Sequence, residues 1–534
     1  MRRRPPGVRL ARIILLIVAA CAARVAQAQA QAQVPVPSQA PAQAIDALES
    51  AAPKPPNVVP QAREEPPRRL PLAGYANGSF FLRDPNDWFV LFPKGRLQID
   101  WYNFLNRGAT PEGVTSNSGQ DTRPKDTLFI RRARIELQGT FIGHFDFTIA
   151  GEFVNLPSTG SYGTLNDGYI IVDYLSFLKL QVGQYDLPFT LENRTSDKLF
   201  DFMERSTAIR AFAVPAIKDL GAMVWGWLPR EVAYYSVGVF NGDGPNFKNQ
   251  DNNPALIGRA FVAPVAWMRA AERHGWMKRI EVGASFWWQQ NTNLGGAAAP
   301  STDHAQDDLL SMTTQGGVSF FNSSFAAGVD GSGNAIRSHL APWGTTTKWA
   351  VEASVPIGKL GARFELIHQS LDLAQYNDAP NVKTLSLSRA EGVRGGRLDG
   401  FAYYIELYAW ILGDTMFLDQ PGLEPVPHIR RFAVAREPRW GLMVAVKYEH
   451  LGMDVSGLPV GTLNSMGQPM ANPAQGHYEL HTFALGLNAW GTKHVRLTAN
   501  YVVNYIDGDA PNVTKNLFYQ RLEHELLFRL AVGL

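Results

Sequence analysis

Apolar and polar residues alternate over long stretches of this chain, beginning at about residue 78. In 144–153, one face is mainly phenylalanine and isoleucine, while the other carries histidine, aspartate, threonine and glutamate. The stretches 493–503 and 526–534 repeat the pattern. Alternation of period two over eight or more residues predicts β-strands with one apolar and one polar face. Helical periodicity of comparable length does not occur after the N-terminal region, so we predict an all-β fold.

The strand pattern occurs in about sixteen segments, and the connections between them alternate in length. The predicted strands are 94–106, 126–140, 143–154, 167–176, 178–186, 218–228, 232–241, 255–265, 279–289, 347–356, 361–370, 399–411, 440–450, 477–489, 493–505 and 522–534. Tight connections fall at 141–142, 177, 229–231, 357–360 and 490–492, and long ones at 107–125, 187–217, 290–346, 371–398, 451–476 and 506–521. Short turns at one end and long loops at the other are typical of outer-membrane barrels. The connection 412–439 fits worst, because it is long where a short turn is expected.

Two classes of protein can contain such strands. A soluble periplasmic β-protein hides the apolar face of each strand, whereas an outer-membrane barrel turns it towards lipid. Strands of about ten residues are long enough to cross a bilayer with tilt, and closing the sheet leaves no edge in lipid. We therefore predict a transmembrane antiparallel β-barrel of about 16 strands, with short periplasmic turns and long extracellular loops. Wall side chains cannot fill so wide a barrel, which predicts a water-filled lumen.

The N-terminal region predicts export to the cell envelope. Residues 1–28 combine arginines, a short apolar stretch and a small-residue cleavage site ending at Ala28, which is typical of a secretory signal peptide. A lipoprotein site at Cys21 is the alternative. Residues 29–70 are rich in Ala, Gln and Pro, and we predict a disordered periplasmic lead-in there. The barrel domain would then be 71–534, in the bacterial outer membrane.

Composition and charge exclude other classes of protein. The formal net charge is +2, and removal of the six arginines of the predicted signal peptide leaves 44 basic against 48 acidic residues, or −4. Such a balance does not suit a protein that coats nucleic acid. The single cysteine, Cys21, lies in the predicted signal peptide, so cleavage after Ala28 leaves no disulfide and no thiol nucleophile.

Five segments resemble stretches of one known family. They are Asp126–Arg134 with the pattern F-x-R-R-A-R, Val182–Phe189, Phe202–Ser206 with the sequence FMERS, Ser236–Gly242, and Leu485–Asn488 together with Val495–Leu497. In this order and spacing they resemble the phosphate-selective porin O and P family, and the similarity is scattered over about residues 78–534. The resemblance implies a sixteen-stranded trimeric porin whose third extracellular loop, here 187–217, folds into the lumen and narrows it.

The chain departs from that family in two respects. It ends in Leu534, where such barrels usually end in an aromatic residue. Only 14 of its 50 basic residues are lysines, and a lysine-rich track like that of the phosphate-specific members cannot be traced. The resemblance therefore supports a channel more directly than it supports phosphate as the solute.

Basic residues predicted to face the lumen are the candidates for ion selectivity. They are Arg132, Arg134, Lys179, Arg194, Lys198, Arg205 and Arg210. Guanidinium groups hold oxyanions by paired hydrogen bonds, and rings of Arg or Lys favour anions in a narrow pore. Alternatively, Arg205 and Glu204 only pin the loop through local pairs. The predicted lumenal acids Asp100, Asp146 and Glu152 leave the sign of the selectivity open, and we predict a weak anion preference.

Aromatic residues near predicted strand ends suggest interfacial girdles. Trp101, Tyr169, Trp490 and Tyr505 would then face outward at the edges of the membrane. Plain strand propensity explains the same residues almost as well.

The sequence contains none of the common catalytic signatures. A G-x-S-x-G elbow, an H-E-x-x-H helix and a Walker loop are missing, and the eleven histidines lack metal-ligand spacing. We therefore predict a passive porin without cofactor or metal, admitting small hydrophilic solutes with a preference for anions such as phosphate. The predicted partners are outer-membrane lipid, these solutes and two further copies in a homotrimer, and no nucleic acid. A barrel enzyme or a surface-binding protein is the alternative.

Overall fold

The structure is a computed structural model of the whole chain. The residues it describes are 71–76, 79–105, 125–154, 164–213, 217–228, 232–249, 252–268, 271, 275–291, 310, 312–329, 335–378, 395–413, 440–458, 472, 474–492, 494–510 and 521–533. The chain divides into two units, Met1–Arg69 and Leu70–Leu534, and all described residues belong to the second. The predicted signal peptide and the whole of the predicted lead-in lie outside the described residues. Among those residues, no helix is both long and apolar enough to span a membrane.

Sixteen strands form one closed antiparallel barrel. They are β1 Phe89–Phe104, β2 Thr127–Phe141, β3 Phe145–Glu152, β4 Thr164–Leu175, β5 Leu178–Asp186, β6 Lys218–Trp227, β7 Ala233–Phe240, β8 Ala255–Val262, β9 Glu281–Asn291, β10 Ala335–Ile357, β11 Leu360–Asp378, β12 Gly395–Leu412, β13 Gly441–Ser456, β14 Gly476–Thr492, β15 Val495–Gly508 and β16 Leu522–Gly533. Each strand pairs with its neighbours in sequence, and β16 pairs with β1, for example at Leu530 and Ile99. The sixteen strands thus close into a barrel, and the predicted fold class is confirmed.

Every predicted strand overlaps one of these sixteen strands. The largest difference is β10, which begins at Ala335 rather than at the predicted 347. Pro342 and Gly344 interrupt the alternation in this stretch, and the β10–β11 register shifts between Pro342 and Thr346. The alternating sequence pattern therefore stops at this irregularity, whereas β10 itself extends beyond it to Ala335. The additional part of β10 pairs with Ser324–Val329.

Turns are short at one end of the barrel. Only residues 142–144, 176–177, 358–359 and 493–494 connect the respective strand pairs at this end. Gly358 has φ of 61°, a left-handed conformation that glycine adopts without steric cost and that suits a two-residue hairpin turn. The connection from β12 to β13 lies at this same end, but residues 414–439 are outside the described residues. The connection from β8 to β9 is also long and includes a 3-10 helix, Gly275–Arg279.

Outward and inward side chains differ as the alternation predicts. On β2, Ile135 is 60% exposed and Arg132 only 8%. Leu485 on β14 is 47% exposed, while Asn488 on the same strand is fully buried. The apolar band lies on the outside of the barrel, where it can contact acyl chains, and polar side chains line the inside.

Two of the four predicted girdle residues point the other way. Trp101 and Tyr505 are exposed on the outside, as predicted. Tyr169 and Trp490 were predicted wrongly, because both are buried inside the barrel. Tyr169 packs against Tyr185, and Trp490 stacks on Trp410 with ring centroids 5.0 Å apart. Each side chain points inward because alternate residues of its strand point inward. A position near the strand end does not change this direction.

Candidate functional site

The connection between β5 and β6 folds into the barrel lumen, as the family resemblance implies. Of residues 187–213, only Lys198 is exposed. Asn193 closes the base of this inserted loop, because its side-chain amide donates to the carbonyl of Leu187 at 3.0 Å and to that of Ile217 at 3.3 Å. The loop occupies part of the width that the wall side chains leave, and it narrows the lumen at this height.

Acidic residues of the wall hold the inserted loop by its backbone. Glu365 on β11 accepts hydrogen bonds from the amides of Leu191 and Glu192 at 2.9 and 2.8 Å. Glu449 on β13 accepts one from the amide of Thr207 at 2.6 Å. These three hydrogen bonds from backbone amides to carboxyl groups of the wall fix the path of the loop.

Ion pairs bind the middle of the loop to the opposite wall. Glu204 lies 2.9 Å from Arg131 Nε on β2 and 2.7 Å from Arg529 Nη2 on β16. Asp201 lies 2.6 Å from Arg363 Nη1 on β11. Burial alone would raise the pKa of Glu204, but the guanidiniums of Arg131, Arg132 and Arg529 outweigh it and hold this pKa well below its usual value. Glu204 is therefore a carboxylate at neutral pH, tied to two separate strands.

A β-bulge in β2 explains how two consecutive arginines reach the lumen. Gln98 of β1 is opposite Arg132, but Ile99 is opposite Ile130, so Arg131 is an extra residue in β2. A bulge turns the side chain of the extra residue away from strict alternation. Arg131 consequently points inward beside Arg132, and both contact the inserted loop. Strict alternation assigned Arg132, but not Arg131, to the lumen, so the sequence analysis missed Arg131.

A second segment packs on the inserted loop. Met312–Thr313 and Ser319–Phe321 form a small two-stranded sheet within the predicted loop 290–346. Arg210 donates to the Thr314 carbonyl at 3.0 Å and to the Thr313 hydroxyl at 2.6 Å. Buried side chains of both segments share one apolar cluster with the inner wall, including Phe189, Phe212, Phe320, Phe321 and Ile367. This second insertion was not predicted, because the segment is short and lies far from the loop in sequence.

A cavity of about 160 Å³ remains between the inserted loop and the wall. Its charged lining residues are Arg132, Arg134, Arg205, Lys218, Asp186 and Asp197, and residues 164–166, 196, 217 and 245–246 complete it. Two of the predicted wall candidates, Arg132 and Arg134, thus meet one candidate from the loop, Arg205.

Three of the four basic residues of this cavity are paired with carboxylates. Arg132 Nε lies 2.8 Å from Asp197, and Arg134 Nε lies 3.2 Å from Glu152 on β3. Lys218 Nζ is 2.6 Å from each of two aspartates, Asp167 and Asp186. Their charges are largely balanced within the wall and the loop.

Arg205 is bound differently. Its Nη2 donates to the backbone carbonyls of Asn193 and Thr195 at 3.4 and 3.2 Å, and its guanidinium lies over the ring of Phe200. Within the described part of the chain, its guanidinium forms no ion pair with a carboxylate, and its buried Nε has no hydrogen-bond partner. Burial lowers the pKa of Arg205 from its usual value, although Asp186, Glu192 and Glu204 act in the opposite direction. Arg205 is therefore a buried, incompletely neutralised cation at the cavity wall.

The other predicted candidates lie elsewhere. Arg194 donates to the backbone carbonyl of Asp186 and supports the base of the loop. Arg210 binds the second segment, and Lys198 is exposed on the loop. Lys179 lies at the short-turn end of β5, paired with Asp173 at 2.5 Å and over the ring of Trp225. These four do not line the cavity.

Comparisons with known proteins agree with this architecture. Residues 113–305 match the family model described as phosphate-selective porin O and P. No curated protein matches the chain. Solved structures similar to it include OmpT of Vibrio cholerae (10% identity, TM-score 0.43, 85% of this chain and 100% of that chain) and the outer membrane channel DcaP of Acinetobacter baumannii (11%, 0.44, 84% and 97%). An anion-selective porin from Comamonas acidovorans is also similar (10%, 0.42, 84% and 100%). With TM-scores below 0.5, these likenesses support no functional conclusion.

The matched segment contains β2 to β9, the bulge, the inserted loop and most of the cavity lining. The resemblance to the phosphate-selective porin O and P family is therefore confirmed over residues 113–305, and the match supports an outer-membrane β-barrel channel.

Proposed function

We propose that the barrel is a passive channel for small hydrophilic solutes and that it prefers anions such as phosphate. Solutes would pass the inserted loop beside the cavity lined by Arg132, Arg134 and Arg205. No energy source or cofactor is required for this activity. The family match supports the channel, and the chemistry of the cavity supports the sign of its selectivity.

The observation that carries the anion preference is the state of Arg205. A buried guanidinium that forms no ion pair within the described part of the chain, and that nearby carboxylates neutralise only incompletely, is stabilised when an anion approaches it. A unit charge about 5 Å from an anion contributes about 3 kcal/mol at an effective dielectric constant of about 20, and about 1 kcal/mol where water fills the lumen and the dielectric constant is about 80. That residual attraction corresponds to about a fivefold preference for a monovalent anion over a neutral solute of the same size.

The test is the reversal potential of purified protein in a planar bilayer under a salt gradient. We expect stepwise conductance with anion selectivity, and partial block of chloride current by phosphate. Arg205→Ala should lower the anion-to-cation permeability ratio about 25-fold, because the guanidinium repels cations as strongly as it attracts anions, and Arg205→Lys should lower it less. Arg397→Ala is the matched control, because Arg397 is exposed on the outward face at the loop end of β12.

The same recordings separate the two roles considered for Arg205. If Arg205→Ala raises the conductance without changing selectivity, the residue only pins the loop and the proposed anion contact is wrong. A folded protein that leaves the bilayer silent contradicts the channel itself and favours a surface-binding or enzymatic barrel.

We also propose a homotrimer in the outer membrane, following the family resemblance. The mass of the detergent-solubilised complex, corrected for bound detergent, tests this assembly independently of the conductance. A monomeric mass contradicts it.

A further inference from the structure

Several histidines lie on the outer surface of the barrel, next to the aromatic residues of the loop end. His450 on β13 is directly opposite His481 on β14, and Glu479 precedes His481 by two residues on the same outward face. Two residue pairs closer to the short-turn end, Phe483 is 51% exposed in the apolar band. The three polar residues therefore lie just above that band, on the side of the long loops.

Their side chains converge on one point. The Nδ1 atoms of His450 and His481 are 3.4 Å apart, and Glu479 Oε1 is 3.9 Å from His450 Nδ1. The second ring nitrogen of His481, Nε2, lies 3.1 Å from Glu479 Oε1. One potential ligand atom from each residue lies within 4.8 Å of the others.

The surroundings hold the two imidazoles in this orientation. His450 is only 8% exposed and packs between the rings of Phe401 and Tyr403, with centroids 5.4 and 5.3 Å away. The hydroxyl of Tyr448 lies 2.8 Å from His481 Nδ1. The side chains of His481 and Glu479 are 33% and 34% exposed, so an ion can reach them from solution.

We propose that His450, His481 and Glu479 form a binding site for a divalent transition-metal ion such as Zn²⁺. Two nitrogens bound at about 2.05 Å to one tetrahedral ion are about 3.3 Å apart, close to the observed separation of the two Nδ1 atoms. Glu479 accepts the Nε2 proton of His481, which leaves Nδ1 as the ligand and orients the ring, an arrangement common at zinc sites. Water and the Tyr448 hydroxyl complete the four coordination positions. Imidazole ligands of this kind suit zinc, copper, nickel and cobalt.

Other histidines on the same surface provide matched controls. His477 pairs with Asp454 at 2.9 Å, and His524 lies 2.7 Å from the hydroxyl of Tyr501. In the described residues, neither belongs to a group of three potential ligands. They lie on the same outward face as the proposed site but lack its geometry.

The experiment titrates full-length protein, purified in detergent without a histidine tag, with Zn²⁺ in competition with a chromophoric chelator. We expect saturable binding of about one Zn²⁺ per chain. His450→Ala and His481→Ala should each weaken it at least tenfold, and Glu479→Gln about tenfold, because removing an orienting carboxylate costs about 10-fold to 100-fold in affinity. His477→Ala and His524→Ala should stay within twofold of the unsubstituted protein.

Cu²⁺ provides an independent readout of the ligands. Its electron paramagnetic resonance spectrum should show two coordinated imidazole nitrogens in the unsubstituted protein and one in His450→Ala. Heat-modifiable gel mobility establishes that each variant is folded. The proposal is overturned if the unsubstituted protein binds Zn²⁺ without saturation, or if the control substitutions weaken binding as much as His450→Ala does. Neither outcome depends on whether the barrel conducts.

Discussion

The ion pairs of Glu204 are expected to decide how tightly the inserted loop closes the lumen. Glu204→Gln keeps the size of the side chain but removes the charge that faces Arg131 and Arg529. Arg529 retains Asp100 at 2.7 Å as a partner. Arg131 has no other carboxylate partner within the described part of the chain, so the substitution leaves its charge uncompensated.

The magnitude follows from that uncompensated charge. Removing one partner of a buried ion pair costs about 3–5 kcal/mol, and the lower value applies here because Arg131 is 28% exposed. A loss of about 3 kcal/mol raises the population of a locally detached loop about 150-fold. We expect larger single-channel conductance, more current noise, and faster entry of disaccharides into proteoliposomes relative to monosaccharides.

Glu352→Gln is the control for this prediction. It removes a buried ion pair of similar geometry, with Arg259 at 2.6 Å, but both partners belong to the wall. It should lower barrel stability while leaving conductance and solute cut-off unchanged. If Glu204→Gln folds and inserts normally and conducts like the unsubstituted protein, the loop is not held by these ion pairs, and the reasoning is refuted.

Three further predictions concern pH, the backbone and the lipid-facing surface. Because the folded-state pKa of Glu204 is depressed, its ion pairs stabilise the loop fully above the usual carboxyl pKa of about 4.5. Conductance should therefore stay constant from neutral pH to about pH 5 and increase only in stronger acid. The Glu204→Gln protein should not show this increase. Gly183→Ala should impair barrel assembly, measured by heat-modifiable mobility, because φ is +135° and the new Cβ would lie 2.1 Å from the carbonyl oxygen of Gly168; normal assembly would contradict the strand geometry. Leu485→Arg should destabilise the barrel by about 2–4 kcal/mol in urea titrations in phospholipid vesicles, since the outward face contacts acyl chains; an unchanged midpoint would contradict that orientation.

Strand positions were predictable because alternation depends only on the sequence near each residue. The parity of β2 placed Arg132 and Arg134 inside, and the structure agrees. The same reasoning applied to β14 would have placed Trp490 inside, because Leu485 and Leu487 occupy the opposite parity. Trp490 was predicted wrongly because its direction was inferred from its position near the strand end and not from the alternation along the strand.

The contacts of the loop and the register between strands were not predictable from one sequence. The unpaired state of Arg205 depends on which wall residues the inserted loop meets, and these lie in distant strands. His450 and His481 are 31 residues apart and become neighbours only through the β13–β14 register. Their separation is far from any local spacing of metal ligands, so the histidines looked scattered.

The inserted loop has a consequence for biogenesis. Met203 receives a hydrogen bond from Arg529, 326 residues later in the chain, and its amide donates to Asn500, 297 residues later. Contacts of such sequence separation form late, because the intervening chain must first be ordered. The narrowing of the pore therefore awaits the arrival of the C-terminal strands. A nascent barrel that has not yet joined its last strand to its first would leave this plug undocked and its interior wider than in the mature protein.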